Sequence, residues 1–169
     1  MRIGLLSDTH GYLDPRIGEY FKNCDEIWHA GDIGEIAVLQ QLEQLKPVRA
    51  VFGNIDDRAM QNRLPEDLRF TCEGVDVFMT HIGGTPPRYN PRVKRILTQS
   101  APQLFICGHS HILKVGRDAA FRDMLFLNPG AAGNHGFHTI KTIVRLTLSQ
   151  GAVSDLEVIE LGKRGELIT

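Results

Sequence analysis

No pair of cysteines in this sequence is close enough to build a zinc ribbon or a disulfide framework. The three present, Cys24, Cys72 and Cys107, are widely spaced, odd in number and without a C-x-x-C pattern, so a reducing compartment is expected. Long apolar runs are missing too. The first one ends at Ser7-Asp8, too short for a secretory leader, and nothing approaches the roughly 20 apolar residues that span a bilayer. Charge of one sign is also lacking: 19 Lys and Arg stand against 20 Asp and Glu, a net charge of −1, with the basic residues scattered. That argues against a basic groove and so against a nucleic acid partner. There is no internal repeat, linker or low-complexity tract. At 169 residues the expectation is one domain over 1–169, large enough for a substantial core, in the cytoplasm and with no membrane partner.

What is present is a series of short apolar runs, each leaving into a polar or glycine-rich loop. Residues 3–6 read as a buried strand delivering Ser7-Asp8-Thr9-His10. Asp14 and Pro15 then look like an N-cap and first helical residue, with the helix running to about Asn23. A strand at 26–29 leads into Ala30-Gly31-Asp32, and the spacing of Ile36, Leu39, Leu42 and Leu45 is helical. Pro47 stops that helix, and a third strand at 48–52 runs into Gly53-Asn54-Ile55-Asp56. Strand, helix, strand, helix, strand implies parallel strands whose exits share one sheet edge, the place where ligand sites form in open α/β sheets.

After Leu64-Pro65 the pattern becomes strand-rich. Strands are predicted at 68–72 and 75–80, the second delivering His81 into the loop Ile82-Gly83-Gly84-Thr85-Pro86-Pro87. A short helix at 91–98 precedes a buried strand at 104–107, which delivers Gly108-His109-Ser110-His111. Further strands are predicted at 112–115, 124–127, 139–148 and 153–161. A parallel half followed by a strand-rich half implies two sheets face to face with helices outside.

Five strand exits therefore present metal-capable side chains: Asp8 and His10, Asp32, Asn54, His81, then His109 and His111. Carboxylates, imidazoles and one amide oxygen form a mixed N/O donor set, suited to Mn, Fe, Co, Ni or Zn. Seven donors exceed one ordinary site and suit two ions sharing a carboxylate. Paired ions about 3.5–4 Å apart suit phosphoryl chemistry. Taken singly, an Asp-x-His or a Gly-Asp after a strand is an ordinary turn, and Asn54 an ordinary loop residue. Jointly, these residues at successive strand exits point to a metal centre.

In order, Asp8-x-His10, Gly31-Asp32, Gly53-Asn54, His81 and Gly108-His109-x-His111 resemble the signature of the calcineurin-like metallophosphoesterases. The Gly-Asn-x-Asp form, the Leu64-Pro65 spacing and Asn128-Pro129-Gly130 resemble its small bacterial YfcE-type subgroup. The resemblance implies a four-layer α/β/β/α sandwich of two mixed β-sheets flanked by helices. It implies one metal on Asp8, His10, Asp32 and His111, and a second on Asp32, Asn54, His81 and His109, with Asp32 bridging. Asp32, Asn54 and His109 would act through that centre, in an in-line attack on phosphorus by a metal-bridging hydroxide. Mn²⁺ is the first expectation for the ions, with Zn²⁺, Ni²⁺ and Fe²⁺ as alternatives.

One position departs from the family. Many members carry a histidine within Gly-Asn-His-Asp that assists the leaving group, and here it is Ile55, which donates no proton. General acid help is worth about 10²–10⁴-fold, so its loss weighs least on activated diesters. A phosphodiesterase acting on a small phosphodiester or nucleotide-like substrate is expected, and Asp56 is expected to orient a ligand or a loop. The alternatives are a non-catalytic interaction scaffold of the same fold, as in a retromer subunit, or a nucleotide polyphosphate hydrolase. Homo-oligomers are compatible with the sequence. Among the remaining polar residues, His29 reads equally as a support for Asp32 or a satisfied core histidine. His135 and His138 are able to reach the substrate, but read more readily as solvent-facing loop residues. Arg58, Arg63, Arg88 and Arg92 can contact phosphate, although surface arginines need no such role.

Overall fold

Side-chain alternation along the strands sets the layers. In β1 (Arg2–Leu6) Ile3 and Leu5 face one core while Leu6 faces another, so this strand is buried on both sides. The computed structural model describes residues 1–166. After β1 come α1 (Ile17–Phe21), β2 (Glu26–His29), α2 (Ile36–Leu45), β3 (Val48–Ala50) and α3 (Arg58–Arg63). The second half holds β4 (Asp67–Cys72), β5 (Val75–Thr80), the small hairpin β6 (Gly84–Thr85) and β7 (Arg88–Tyr89), α4 (Pro91–Gln99) and β8 (Leu104–Ile106). It ends with β9 (Leu113–Asp118), β10 (Met124–Pro129), β11 (Ile140–Ser149) and β12 (Ala152–Lys163).

The first sheet has the order β12-β11-β1-β2-β3, and the second β4-β5-β8-β10-β9. In the first, β1, β2 and β3 are parallel, β11 is antiparallel to β1, and β12 is antiparallel to β11; in the second, β5, β8 and β10 are parallel between antiparallel edges. Three apolar cores separate four layers. Leu5, Trp28, Met79, Ile106, Leu127 and Val144 fill the space between the sheets. Phe21, Leu39, Leu42 and Met60 bind α1, α2 and α3 to the outer face of the first sheet. Val93 and Leu97 bind α4 to the second through Phe78, Phe105 and Phe126. The fold is the expected α/β/β/α sandwich of mixed sheets. Among the described residues no helix is long and apolar enough to cross a membrane.

Several local expectations need correction. Helix α1 starts at Ile17, not Pro15, and Asp14 is no cap. Its buried carboxylate instead holds the equally buried Lys141 ammonium of β11 at 3.1 Å and the Arg16 guanidinium at 2.9 Å. A buried cation without a partner costs several kcal/mol, on the order of 3–5, which outweighs the roughly 1 kcal/mol of a cap. Strand β3 stops at Ala50 because the Phe52 N–H turns away to the Pro65 carbonyl. Strand β9 begins at Leu113 and continues to Asp118. Helix α3 was not anticipated; Asp57 caps it by accepting the Met60 N–H at 2.9 Å. The loop after His81 contains the β6–β7 hairpin.

Candidate metal centre

The predicted exits of β1, β2, β3, β5 and β8 converge at one end of the sandwich, laced together by backbone hydrogen bonds. Asp8 N–H donates to Gly31, His10 N–H to Asp32 and Gly108 N–H to His81, each at 3.0 Å. Asp8, His10, Asp32, His109 and His111 all have positive φ, between 48° and 67°. Each such residue costs about 1 kcal/mol or more, and strain of this kind clusters at functional sites. Two glycines allow the close approach. A Cβ on Gly53 would lie 2.0 Å from Asp32 Oδ1, and one on Gly108 would lie 2.1 Å from Ser7 Oγ.

The donors form two groups: Asp8, His10, Asp32 and His111, and Asp32, His81 and His109, each with its donor atoms within 4.8 Å of one another. Asp32 belongs to both. His111 Nε2 lies 3.2 Å from Asp8 Oδ1 and 3.2 Å from His10 Nε2, which is 3.6 Å from Asp32 Oδ2. Asn54 lines the same cleft.

His81 tests whether a cation fits. Its Nδ1 lies 2.8 Å from the Ala30 carbonyl oxygen, which only accepts, so that nitrogen carries a proton. In the neutral ring Nε2 then points a lone pair at Asp32 Oδ1, 3.1 Å away, and Asp8 Oδ1, 3.9 Å away. This buried nitrogen has no hydrogen-bond partner among the described residues. Acceptors facing acceptors repel unless a positive charge lies between them. A proton on Nε2 relieves the repulsion: burial opposes charging His81, yet the hydrogen bond that the protonated nitrogen would give Asp32, with the charges of Asp8 and Asp32, raises its pKa above the ordinary value. Burial likewise opposes ionising Asp32, but His81 and the Ile55 N–H hold it below the usual carboxylate range. Burial pushes His10 and His109 down, favouring the neutral imidazoles that bind metals. A divalent cation satisfies the same geometry.

Buried residues behind the donors fix the loops. His29 is fully buried, which pushes its pKa down to about 3. The Gly31 N–H donates to its Nδ1 at 3.1 Å, so Nε2 holds the proton and donates to Thr9 Oγ1 at 3.0 Å. Thr9 in turn donates to the Ile33 carbonyl at 3.0 Å. His29 is thus a satisfied core histidine that ties together the loops bearing Asp8, His10 and Asp32. Asp56 accepts the Gly34 and Gly53 N–H groups, both at 2.7 Å, joining the loops that carry Asp32 and Asn54. Asn128 donates to the Gly108 carbonyl at 2.8 Å and to Ser110 Oγ at 3.1 Å, bracing the turn that bears His109 and His111.

Above the donors opens a cleft of about 260 Å³ bordered by Ile55, His135 and Phe137. His135 is exposed and His138 half-buried in this loop, and both rings lie against the donors. The His135 ring packs 4.9 Å from that of His10, and the His138 ring lies edge-on 5.3 Å from His111. Ala132 and Gly133 donate to the Ser7 and Asp8 carbonyls and draw this loop over the strand end. The sequence offered no signal for a contact between segments so far apart. Arg63 is engaged by Glu43, and Arg92 by Asp67 and Glu66, away from the donors.

The chain belongs to the calcineurin-like phosphoesterase superfamily, whose domain matches residues 1–151 and so includes every candidate donor. Over 137 residues it is 32% identical to a probable metallophosphoesterase of Methanothermobacter thermautotrophicus, covering 78% of this chain and 77% of that one. Its structure resembles a novel archaeal phosphodiesterase with a TM-score of 0.77 at 22% identity, over 95% of this chain and 100% of the other. It also resembles Vps29 of Entamoeba histolytica complexed with Zn²⁺, with a TM-score of 0.71 at 19% identity, over 95% and 99% of the two chains. At these identities the two structural likenesses speak for the fold alone.

Proposed function

We propose that this chain is a phosphodiesterase working through two divalent cations, one on Asp8, His10, Asp32 and His111 and the other on Asp32, Asn54, His81 and His109. The observation that carries the reading is the buried carboxylate of Asp32 shared by two donor groups, with the unpartnered His81 Nε2 facing it. Two cations held there would polarise a phosphoryl oxygen, make water a nucleophile at neutral pH and neutralise the departing oxygen. The protein's part is to hold the donors and to shape the cleft. Asp32 links the groups, Asp56 keeps the Asp32 and Asn54 loops at fixed separation, and Asn128 keeps the His109–His111 turn in place. Ile55 is 44% exposed and offers the substrate no proton donor, so good leaving groups are favoured. Mn²⁺ is the ion of first choice, with Zn²⁺, Ni²⁺ and Fe²⁺ as alternatives for this donor set.

The test is hydrolysis of bis(p-nitrophenyl) phosphate and p-nitrophenyl phosphate by chelator-stripped protein after separate addition of Mn²⁺, Zn²⁺, Ni²⁺, Fe²⁺ or Mg²⁺. Metal-dependent cleavage of the diester, well above the monoester, is expected. The Asp32→Ala variant should lose turnover and most of its bound metal. Faster cleavage of the monoester, or turnover unchanged in that variant, would overturn the assignment. Two bound ions with no hydrolysis would point to the interaction scaffold instead.

A further inference from the structure

We infer that the cleft on the far side of Ser110 receives the second ester arm of the substrate, and that this arm is apolar with an anionic end. The inference rests on the phosphodiesterase reading and gives it a substrate class. The cleft has a volume of about 280 Å³ and is bordered by Phe126, Ile112, Ser110, Arg88 and Lys114 among others. Ser110 sits between His109 and His111 and borders the metal-side cleft as well. Ser110 is the residue the two clefts share, so an ester arm of a phosphate held over the donors would reach the second cleft past it.

The walls are built before any ligand arrives. Tyr89 Oη donates to Asp118, and Lys114 Nζ donates to the Pro86 carbonyl at 3.2 Å, so the β6–β7 hairpin is tied to β9 at two places. Asn128, 2% exposed, holds Ser110 by its hydroxyl. A cleft held open in this way loses little freedom on binding.

Its chemistry selects the arm. Ile112, 66% exposed, supplies apolar surface beside the buried Phe126, which also borders the cleft. Arg88 and Lys114 supply two positive charges, and among the described residues neither has a carboxylate within 4.0 Å, whereas Arg63, Arg92 and Arg117 are each paired. A guanidinium fork and an ammonium beside apolar walls suit a carboxylate or phosphate carried on an aromatic or aliphatic group.

Three diesters with p-nitrophenolate as the common leaving group test this: p-nitrophenyl phenyl phosphate, p-nitrophenyl 4-carboxyphenyl phosphate and p-nitrophenyl phosphorylcholine. For the Mn²⁺-loaded full chain, kcat/KM should be about tenfold higher for the carboxyphenyl than for the phenyl diester, and lowest for the cationic choline diester. The double variant Arg88→Ala with Lys114→Gln, whose amide keeps a donor for the Pro86 carbonyl, should bring the carboxyphenyl-to-phenyl ratio to within about twofold of one. Both side chains are exposed, and calorimetric titration with Mn²⁺ should match the parent protein. No charge preference in the parent, a preference that survives the double variant, or weakened Mn²⁺ binding in that variant would each overturn the inference. The two readings fail differently. Turnover of the phenyl diester without charge preference removes only this one, whereas no hydrolysis of any diester with any metal removes both.

Discussion

Gly53 shows how tightly single residues are bound to the chemistry. Its missing side chain leaves room for Asp32 Oδ1, and a methyl there would sit 2.0 Å from that oxygen, with the Asp32 backbone nitrogen at 2.3 Å on the same side. The nitrogen belongs to the main chain and cannot swing aside as a side-chain end would, so the β2 and β3 loops must part. Gly53→Ala should weaken Mn²⁺ binding by about 10–100-fold, the cost typical of disturbing a residue that supports a ligand. Competitive titration against a metallochromic indicator measures it, and unchanged affinity would show that the loops separate without moving Asp32. At this scale the sequence was most informative about side chains with chemistry of their own. Asp8, His10, Asp32, Asn54, His81, His109 and His111 all stood at strand exits. The left-handed backbone at five of them carried no signal, because Asp and His tolerate that conformation without requiring it. The placement of His135 and His138 depends on backbone bonds to the β1 exit, which no local pattern encodes.

Elements are joined near the centre by polar contacts between distant segments, and His29 is one with a pH signature. Burial holds its folded pKa at about 3, below the ordinary histidine value of 6.5. Above pH 6.5 the ring is neutral in both states, and its contribution to stability is complete. As the pH falls below 6.5 the unfolded chain takes up the proton first, so stability drops by up to about 1.4 kcal/mol per pH unit until the folded value is reached. Urea unfolding of the parent and His29→Gln proteins between pH 7.5 and 5 should show the steeper decline in the parent. Parallel profiles would mean that His29 is not held neutral. Longer elements were legible because helix and strand periods repeat several times within them, as in α2 and β5. Helix α3, with six residues, and the two-residue strands β6 and β7 are too short for a period to emerge. The start of α1 was misplaced because the partner of Asp14, Lys141, lies 127 residues further on.

At the scale of the molecule, the donors come from both sheets. Asp8, His10, Asp32 and Asn54 follow strands of the first, and His81, His109 and His111 follow strands of the second. Each proposed cation therefore binds across the interlayer core and has no equivalent site in the unfolded chain. Mn²⁺ at about a hundred times its dissociation constant should stabilise the fold by about 2.7 kcal/mol, seen as a higher Tm that a chelator reverses. An unchanged Tm would mean that the donors on the two sheets do not share an ion. Two stacked layers were legible from the change of pattern near Leu64-Pro65. The strand order was not, because it depends on which edges meet and not on any one strand's composition.

The division of donors between two sheets also makes the centre a caliper. Its jaws are the strand exits, and the apolar residues between the sheets set the gap. Leu104, at the start of β8, is fully buried within that interlayer core, and a smaller side chain there would let the layers settle closer and misalign the jaws. Cation affinity thus reports the spacing of the whole sandwich, and substitutions deep in the core are felt as changes in the metal the protein holds.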